Sequence, residues 1–328
     1  MSPEVTLLAA VALPFVALPA VLALHRRPNL REAATLVTAL CLVLLVLSLA
    51  NQVQQGARPA ARVVETLPGL AIAFEAEPLG VLFALLASFL WLVTSVYSIG
   101  YMRGHGEAHQ TRFYACFAAA LGSTMGVALA GNLFTLFIFY ELLTLTTYPL
   151  VTHSGDAAAR RAGRVYLGLL LGSSVAFFLL ALVATWSLTG TLAFRHGGIL
   201  AGVVSPGTAA ILLALYLFGI GKAALMPLHR WLPAAMVAPT PVSALLHAVA
   251  VVKAGVFTVT KVIIYVFGID YLASTDASRW LTWVAAFTIL AASCVALTKD
   301  NLKARLAYST ISQLSYIVLG AALANEWG

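Results

Sequence analysis

The sequence predicts an all-α membrane protein: a polytopic helix bundle of about ten transmembrane helices, with a seventh helix that proline residues break. Of its 328 residues, 61% are hydrophobic and only 9% are charged, whereas a soluble domain carries about 25% charged residues. Apolar runs of about 20 residues, long enough to cross a bilayer core, recur along the chain. No stretch between them is long and polar enough to form an extramembrane domain.

Ten apolar runs define the predicted helices. The first is interpreted as a retained helix, because Met1-Ser2-Pro3-Glu4 lacks the basic segment that opens a signal peptide. Thr240 and Pro241 resemble the N-cap and first residue of the eighth helix. The predicted ranges are 5–24, 33–50, 78–101, 112–130, 132–152, 163–189, 208–226, 242–267, 280–298 and 304–324.

The distribution of Lys and Arg predicts the orientation of these helices. The loops after odd-numbered helices hold 12 of the 19 basic residues, and the opposite loops hold 4. Because positive charge accumulates in cytoplasmic loops, both chain ends are predicted to be extracytoplasmic, in a multi-pass protein of the cell inner (plasma) membrane. The remaining three basic residues lie within predicted helices: Lys222, Lys253 and Lys261.

The sequence indicates no cofactor or metal site. The three cysteines lie in apolar runs, and none has a Cys or His partner at the spacing of metal ligands. No Rossmann glycine pattern, P-loop or nucleophile elbow is present. The net charge of +7 is explained by the cytoplasmic loops, since the basic residues do not form a nucleic-acid footprint. We therefore expect no bound cofactor, no metal, no redox chemistry and no nucleic-acid partner.

Lys222 is the first candidate functional residue, because it lies in the apolar run 208–226, shortly before Pro227. An ionisable side chain within a membrane span costs about 2.5–3.5 kcal/mol, and it usually marks a path for ions or protons. Pro227 lacks an N–H, so it is expected to leave the carbonyl of Ala223 free beside Lys222. The alternative is that Lys222 snorkels to the cytoplasmic interface.

Glu141 is the only acidic residue within a predicted helix, near the middle of 132–152. Burial favours the protonated carboxyl and a nearby cation favours the carboxylate, so a balance between them permits proton exchange near neutral pH. The alternative is a structural hydrogen bond between helices.

The eighth predicted helix carries three more ionisable residues. His247 lies in its first turns and is suited to a proton relay, although a lone His on an apolar face is more often a core residue. Lys253 lies near mid-span, where snorkelling is difficult, and it is predicted to lie about 120° around the helix from His247. Lys261 is nearer the outer end and is expected to snorkel.

Three segments carry a family resemblance. They are GKAALMPLHRWLPAAMVAPTPVSALLH (residues 221–247), FYEL (139–142) and DNLKARLAYS (300–309). They resemble motifs of the antiporter-like proton-translocating subunits of respiratory complex I, Mrp-type Na⁺/H⁺ antiporters and membrane-bound hydrogenases. The resemblance extends from about residue 75 to the end of the chain.

The resemblance implies a role for each candidate residue. Glu141 corresponds to the family's helix-5 glutamate, and Lys222 to the lysine of its broken helix 7. His247 and Lys253 match residues found on helix 8 in different members. Together they are predicted to form a proton relay, in which a change at Glu141 drives the proton of Lys222 toward His247 and Lys253.

The number of helices departs from the family, whose members have about fourteen, including two inverted repeats of five. Predicted helices 1–3 occupy residues 1–110, a first repeat (helices 4–8) occupies 111–270, and 271–328 begins a second repeat. Either the chain is a fragment, a partner supplies helices 11–14, or one half-channel operates. Ala130-Gly-Asn-Leu133 resembles Lys299-Asp-Asn-Leu302, which aligns Glu141 with Thr310.

These observations predict a proton-translocating subunit of an Mrp-type monovalent cation/proton antiporter, most similar to its D-type and A-type subunits. Its expected partners are other membrane subunits, and its transported ions are protons, with Na⁺ as the candidate exchanged cation. The first alternative is a proton-pumping subunit of a redox-driven complex I or hydrogenase-type assembly, or of an inorganic-carbon uptake complex. The second alternative is a scaffold subunit that transports nothing.

Overall fold

A computed structural model describes residues 2–245 and 249–324. His247 therefore lies outside the described residues, and its predicted role stays a prediction. The described chain is mostly helical, as expected. In chain order the elements are α1 (Pro3–Ala23), α2 (Pro28–Gln54), β1 (Ala60–Leu67), β2 (Leu70–Glu75), α3 (Pro78–Gly104), α4 (Gln110–Ala128), α5 (Leu133–Val151), α6 (Ala157–Ser173), α7 (Leu179–Thr189), α8 (Pro206–Gly219), α9 (Trp231–Ala234), α10 (Thr240–Ala244), α11 (Val251–Val262), α12 (Ile269–Thr275), α13 (Arg279–Leu297) and α14 (Leu302–Ala322).

Six helical stretches of the described residues are long and apolar enough to cross a membrane, and a seventh follows if the bent pair α11–α12 forms one span. One of the six joins α6 and α7 through a π-helical segment, Ser174–Phe178. The predicted helices 4 and 10 correspond to α4 and α14, which are long enough but more polar. Fourteen of the 19 residues of α4 are buried inside the protein, so little of its surface has to be apolar toward lipid. The chain is a multi-pass membrane protein.

The chain divides into two compact units. The first comprises Met1–Gly163 and Val237–Val251, and the second comprises Arg164–Met236 and Val252–Gly328. In the first unit, α4 packs against α1 and α5, and α2 packs against α1 and α3. In the second unit, α13 packs along α14, and α8 packs against the π-helical segment.

A β-hairpin in the first unit departs from the all-helical prediction. Strands β1 and β2 pair antiparallel, and Gly69 turns the chain between them with a positive φ of 79°. Two alternating runs around Pro68-Gly69 were a sequence signal for this hairpin. The hairpin holds the start of α5, because the Ala73 N–H donates to Thr135 Oγ1 (2.9 Å) and Asn132 Nδ2 donates to the Ala71 carbonyl (2.8 Å).

The predicted eighth helix, 242–267, bends at Ala250, and residues 246–248 within it lie outside the described part of the chain. Helix α10 ends at Ala244 and α11 begins only at Val251. Beyond α11 the chain bends by 79° before α12. The bend occurs at Gly268, whose φ is 87° and whose backbone lies so close to Gly197 that a Cβ would overlap it. The cap of α10 is also shifted by one residue, since Pro239 is the N-cap and Thr240 is the first helical residue.

Candidate functional site

Lys222 lies at a break between helices in the second unit. Helix α8 ends at Gly219, and Lys222 occupies a single 3₁₀ turn, Gly221–Ala223. Its exposed fraction is 0%. Because α8 ends at Gly219, well before Pro227, the apolar run 208–226 is helical only over its first part. The complete burial of Lys222 does not support the snorkelling alternative.

Three contacts fix the turn that carries Lys222. Trp231 Nε1 donates a hydrogen bond to the Gly221 carbonyl (3.0 Å), and the Met226 N–H donates to Thr288 Oγ1 (3.3 Å). A Cβ at Gly255 would overlap the backbone of Lys222, so α11 packs directly on this turn. Because glycine alone permits that approach, the turn is held between α11 and the buried Trp231 ring.

Lys253 is the third residue of α11 and is partly buried. Helix α11 begins at Val251, after a bend at Ala250. Gly255, two residues further along α11, contacts the Lys222 backbone. The structure thus brings the helix of Lys253 against the Lys222 turn.

Glu141 lies on α5 in the first unit, with both carboxyl oxygens buried. The hydroxyls one and two turns along the same helix are committed to its backbone. Thr144 Oγ1 donates to the Tyr140 carbonyl (3.4 Å), and Thr147 Oγ1 donates to the Leu143 carbonyl (2.6 Å). The buried carboxyl fits the sequence-based expectation that Glu141 is removed from water.

The neighbouring residue Phe139 explains why α5 holds its position. A Cβ at Gly126 of α4 would overlap the Phe139 ring, so the glycine makes room for it. The ring also packs edge-on against Phe74 of the hairpin, with centroids 5.5 Å apart. This packing, together with the hydrogen bonds of Asn132 and Thr135 to the hairpin, sets the rotation of α5 and hence the direction of Glu141.

Lys261 departs from expectation, because it is buried to 1% exposure instead of snorkelling. Its Nζ lies 4.4 Å from the ring centroid of Phe194, 5.5 Å from that of Phe257 and 6.0 Å from that of Tyr265. Aromatic faces attract a cation, which stabilises the ammonium group where water is excluded. Aromatic residues four positions before and after Lys261 were a sequence signal for this arrangement.

A buried cluster of charged residues was also not predicted from the sequence. Arg31 and Glu32 were placed in a loop, but both lie in the first turns of α2 and are 3% exposed. Arg31 Nη2 and Arg103 Nε donate to the same Glu32 oxygen, at 3.2 and 3.1 Å. The charges pair with one another, which permits their burial at the helix end.

The fold and the buried lysine define a polytopic membrane protein of the antiporter-like class. Residues 130–328 match the family described as NADH:quinone oxidoreductase/Mrp antiporter, transmembrane. The chain belongs to this family, and the resemblance stated from its motifs is confirmed.

Two curated proteins are among the relatives of this chain. The chain is 35% identical over 266 residues to NAD(P)H-quinone oxidoreductase chain 5 of Synechocystis sp., in a match covering 77% of this chain and 37% of that protein. It is 34% identical over 263 residues to the A/B component of a probable K⁺/H⁺ antiporter of Rhizobium meliloti, covering 78% and 25% respectively. The matched region is thus well under half the length of either relative.

Two solved structures share the fold. One belongs to the membrane-bound sulfane sulfur reductase, an archaeal respiratory membrane complex, with a TM-score of 0.84, 25% identity, and coverage of 96% of this chain and 64% of that chain. The other belongs to the Mrp complex of Dietzia sp., with a TM-score of 0.84, 22% identity, and coverage of 98% and 59%. Both structural neighbours are parts of membrane complexes.

Proposed function

We propose that this chain is a proton-translocating subunit of a multisubunit, Mrp-type monovalent cation/proton antiporter. The observation that carries the proposal is the fully buried Lys222, held in a 3₁₀ turn at the end of a membrane helix. A lysine removed from water gives up its proton more readily than an exposed one. Such a group at a helix break is well suited to pass protons within a membrane.

The proposed relay comprises Glu141, Lys222, His247 and Lys253. Protonated Lys222 is stabilised while Glu141 is a carboxylate; neutralising Glu141 removes that stabilisation and releases the lysine proton toward His247 and Lys253. The packing of α11 on the Lys222 turn supports the step toward Lys253. Glu141 belongs to the first unit and Lys222 to the second, so their coupling rests on the family resemblance.

The proposal extends to organisation and surroundings. Residues 1–110 precede a first antiporter repeat (111–270), and 271–328 begins a second. The matching helix caps support the repeat: Asn132 accepts from the Thr135 N–H (2.7 Å), and Asn301 accepts from the Ala304 N–H (3.0 Å). Other membrane subunits are the proposed partners, one of them providing helices 11–14. The proposed location is the cell inner (plasma) membrane, with both ends extracytoplasmic.

A redox-driven assembly is the second candidate, in which the same relay is driven by quinone reduction on other subunits. The 35% identity to an NAD(P)H-quinone oxidoreductase chain favours it. The two candidates differ in what energises proton movement, so the driving force distinguishes them.

The test measures proton movement in everted membrane vesicles that contain the chain with its native partner subunits. Addition of Na⁺ or K⁺ should collapse an imposed pH gradient in the wild type, and Lys222→Met should reduce this rate at least tenfold at equal membrane abundance. Lys299→Met is the matched control, because Lys299 lies near the end of α13 outside the relay, and it should transport normally. Normal transport by Lys222→Met would refute the proposal. A pH gradient generated by NADH oxidation, and insensitive to added cation, would favour the redox assembly.

A further inference from the structure

An open cavity of about 790 Å³ lies at the start of α2 and the end of α3, and none of the candidate relay residues lines it. Its volume is within the range of ligand pockets, about 300–1,000 Å³. Two arginines and two amides provide its polar lining. The lining residues are Arg27, Pro28, Asn29, Leu30, Arg103 and Gln110.

Positive charge beside this cavity exceeds the negative charge that compensates it. Arg31 and Arg103 both pair with the carboxylate of Glu32, which is 3% exposed. One carboxylate neutralises one guanidinium, so the cluster retains one positive charge. Arg27, at the edge of the cavity, adds a second that no described carboxylate pairs with. The cavity therefore favours an anion.

The amide of Asn29 provides a hydrogen-bond donor at this cavity, whereas that of Gln110 is held by its own hydrogen bonds. Arg103 Nη2 donates to Asn29 Oδ1 (2.6 Å), which leaves the Asn29 amide nitrogen directed away from the arginine. Gln110 is held at both ends of its amide, because its Oε1 accepts from Arg31 Nη2 (3.0 Å) and its Nε2 donates to the Met102 carbonyl (3.1 Å), so it fixes the rim of the cavity. A phosphate group offers acceptor oxygens that match guanidinium and amide donors.

An apolar stripe on α2 continues from the cavity. Leu30 lines the cavity, and residues at helical spacing beyond it are exposed on the same face of α2. They are Val37, Leu40, Leu44 and Leu47. From Leu30 to Leu47 the stripe rises about 26 Å along the helix axis, close to the thickness of a bilayer core. A free phosphate ion makes no contact with this stripe, whereas the acyl chain of a lipid covers it.

We propose that the cavity binds the phosphate headgroup of an anionic phospholipid, with an acyl chain packed along the α2 stripe. The guanidinium groups of Arg27 and Arg103 hold the phosphate at the membrane surface. Basic pockets between transmembrane helices bind anionic headgroups in this way. The lipid joins α2 to α3 at the same end where Glu32 already connects them.

The test measures lipid binding to the detergent-purified, delipidated protein, independently of transport. Phosphatidylglycerol, phosphatidylcholine with the same acyl chains, and inorganic phosphate are titrated while unfolding temperature and lipid adducts in native mass spectra are recorded. Phosphatidylglycerol should bind at least fivefold more tightly than phosphatidylcholine and raise the unfolding temperature. Arg27→Gln should weaken its binding about fivefold, the effect of one arginine near an anionic headgroup.

Arg26→Gln is the matched control, because Arg26 is the exposed neighbour of Arg27 and does not line the cavity. It should bind phosphatidylglycerol as the wild type does. If Arg27→Gln fails to fold, Arg103→Lys serves as the second variant, since it keeps the charge beside Glu32 but loses Nη1, the guanidinium nitrogen that is not bonded to Glu32 or Asn29; it too should weaken binding. Equal binding of the two lipids, equal effects of Arg26→Gln and Arg27→Gln, or phosphate binding as tight as that of phosphatidylglycerol would overturn the proposal.

Discussion

Trp231 Nε1 donates a hydrogen bond to the carbonyl oxygen of Gly221, 3.0 Å away, within the second unit. The Trp231 side chain is 0% exposed, and the same carbonyl accepts from the Ala224 N–H at 3.0 Å. Together these bonds close the turn that carries Lys222. The position of the buried lysine therefore depends on an indole nine residues further along the chain.

Trp231→Phe should loosen this turn while keeping an aromatic ring in the core. The loss of one buried hydrogen bond costs about 1 kcal/mol, so the free energy of unfolding should fall by roughly that amount. Proton transport should fall more steeply than stability, because Lys222 loses its fixed position. Thermal unfolding and vesicle transport measure the two effects. Trp283→Phe, at a position 70% exposed, is the control and should change neither.

Glu141→Gln and Lys222→Met should each abolish coupled transport without removing the protein from the membrane. The double variant should be no worse than either single variant, because the two residues are proposed to act as one pair. In unfolding experiments the coupling free energy should be at least about 0.5 kcal/mol, since losing one charge leaves the other in a medium of low dielectric. Glu4→Gln, on the exposed first turn of α1, is the control. Additive changes in the free energy of unfolding, or full transport by either single variant, would contradict the pair.

Lys253→Met should preserve or raise thermal stability and yet depress proton transport. A charged lysine within an apolar membrane helix is unfavourable, so replacing it with an apolar residue relieves the cost. Lys253→Arg should also impair transport, because arginine holds its proton too tightly to pass it on. His247→Ala should be milder, since water or hydroxyl groups can bridge its place. If Lys253→Met transports normally, Lys253 is only a packing residue.

His153 should make the stability of the first unit dependent on pH. Burial lowers the pKa of His153, and the positive charge of Arg112 lowers it further. Nε2 contacts the Ala108 carbonyl at 3.0 Å, and Nδ1 has no hydrogen-bond partner among the described residues. A protonated ring would therefore bury an unpaired N–H.

Because the folded-state pKa lies below the unfolded value of about 6.5, protonation favours the unfolded state. The stabilisation is complete above about pH 6.5 and is lost as the pH falls through the folded-state pKa. The unfolding temperature of the wild type should thus drop between pH 7.5 and 5. His153→Gln, which keeps a donor for Ala108, should drop less, and the control His25→Gln should follow the wild type. Parallel curves for all three proteins would contradict the assignment.

Cysteine labelling should report the orientation of the chain. In a background without the three native cysteines, Arg161→Cys should resist a membrane-impermeant reagent added to intact cells, because the basic loops are predicted to be cytoplasmic. Arg195→Cys, exposed in a loop predicted to lie outside, should react readily. Labelling at position 161 and protection at 195 would invert the topology.

The class of protein was predictable from the sequence, because hydrophobicity and motif spacing are local properties. Apolar runs of bilayer length predict membrane helices whatever they pack against. The segment from Gly221 to His247 was sufficient to indicate the family. The N-caps Asn132 and Asn301 were likewise visible as a repeated Asn-Leu pair, since a cap depends only on residues within one turn.

The burial and partners of the charged residues were decided by tertiary structure. Hydropathy places Lys261 near a helix end, but Phe194 from a distant loop covers it and excludes water. Arg31 and Glu32 were assigned to a loop from the sequence, but both are buried, and Arg103, on a different helix, pairs with Glu32. Desolvation and ion pairing depend on groups that are far apart in sequence. The local pattern of apolar residues therefore does not predict them. The break at Lys222 has the same origin: proline predicts that a helix ends, while the packing of Gly255 and Trp231 decides where.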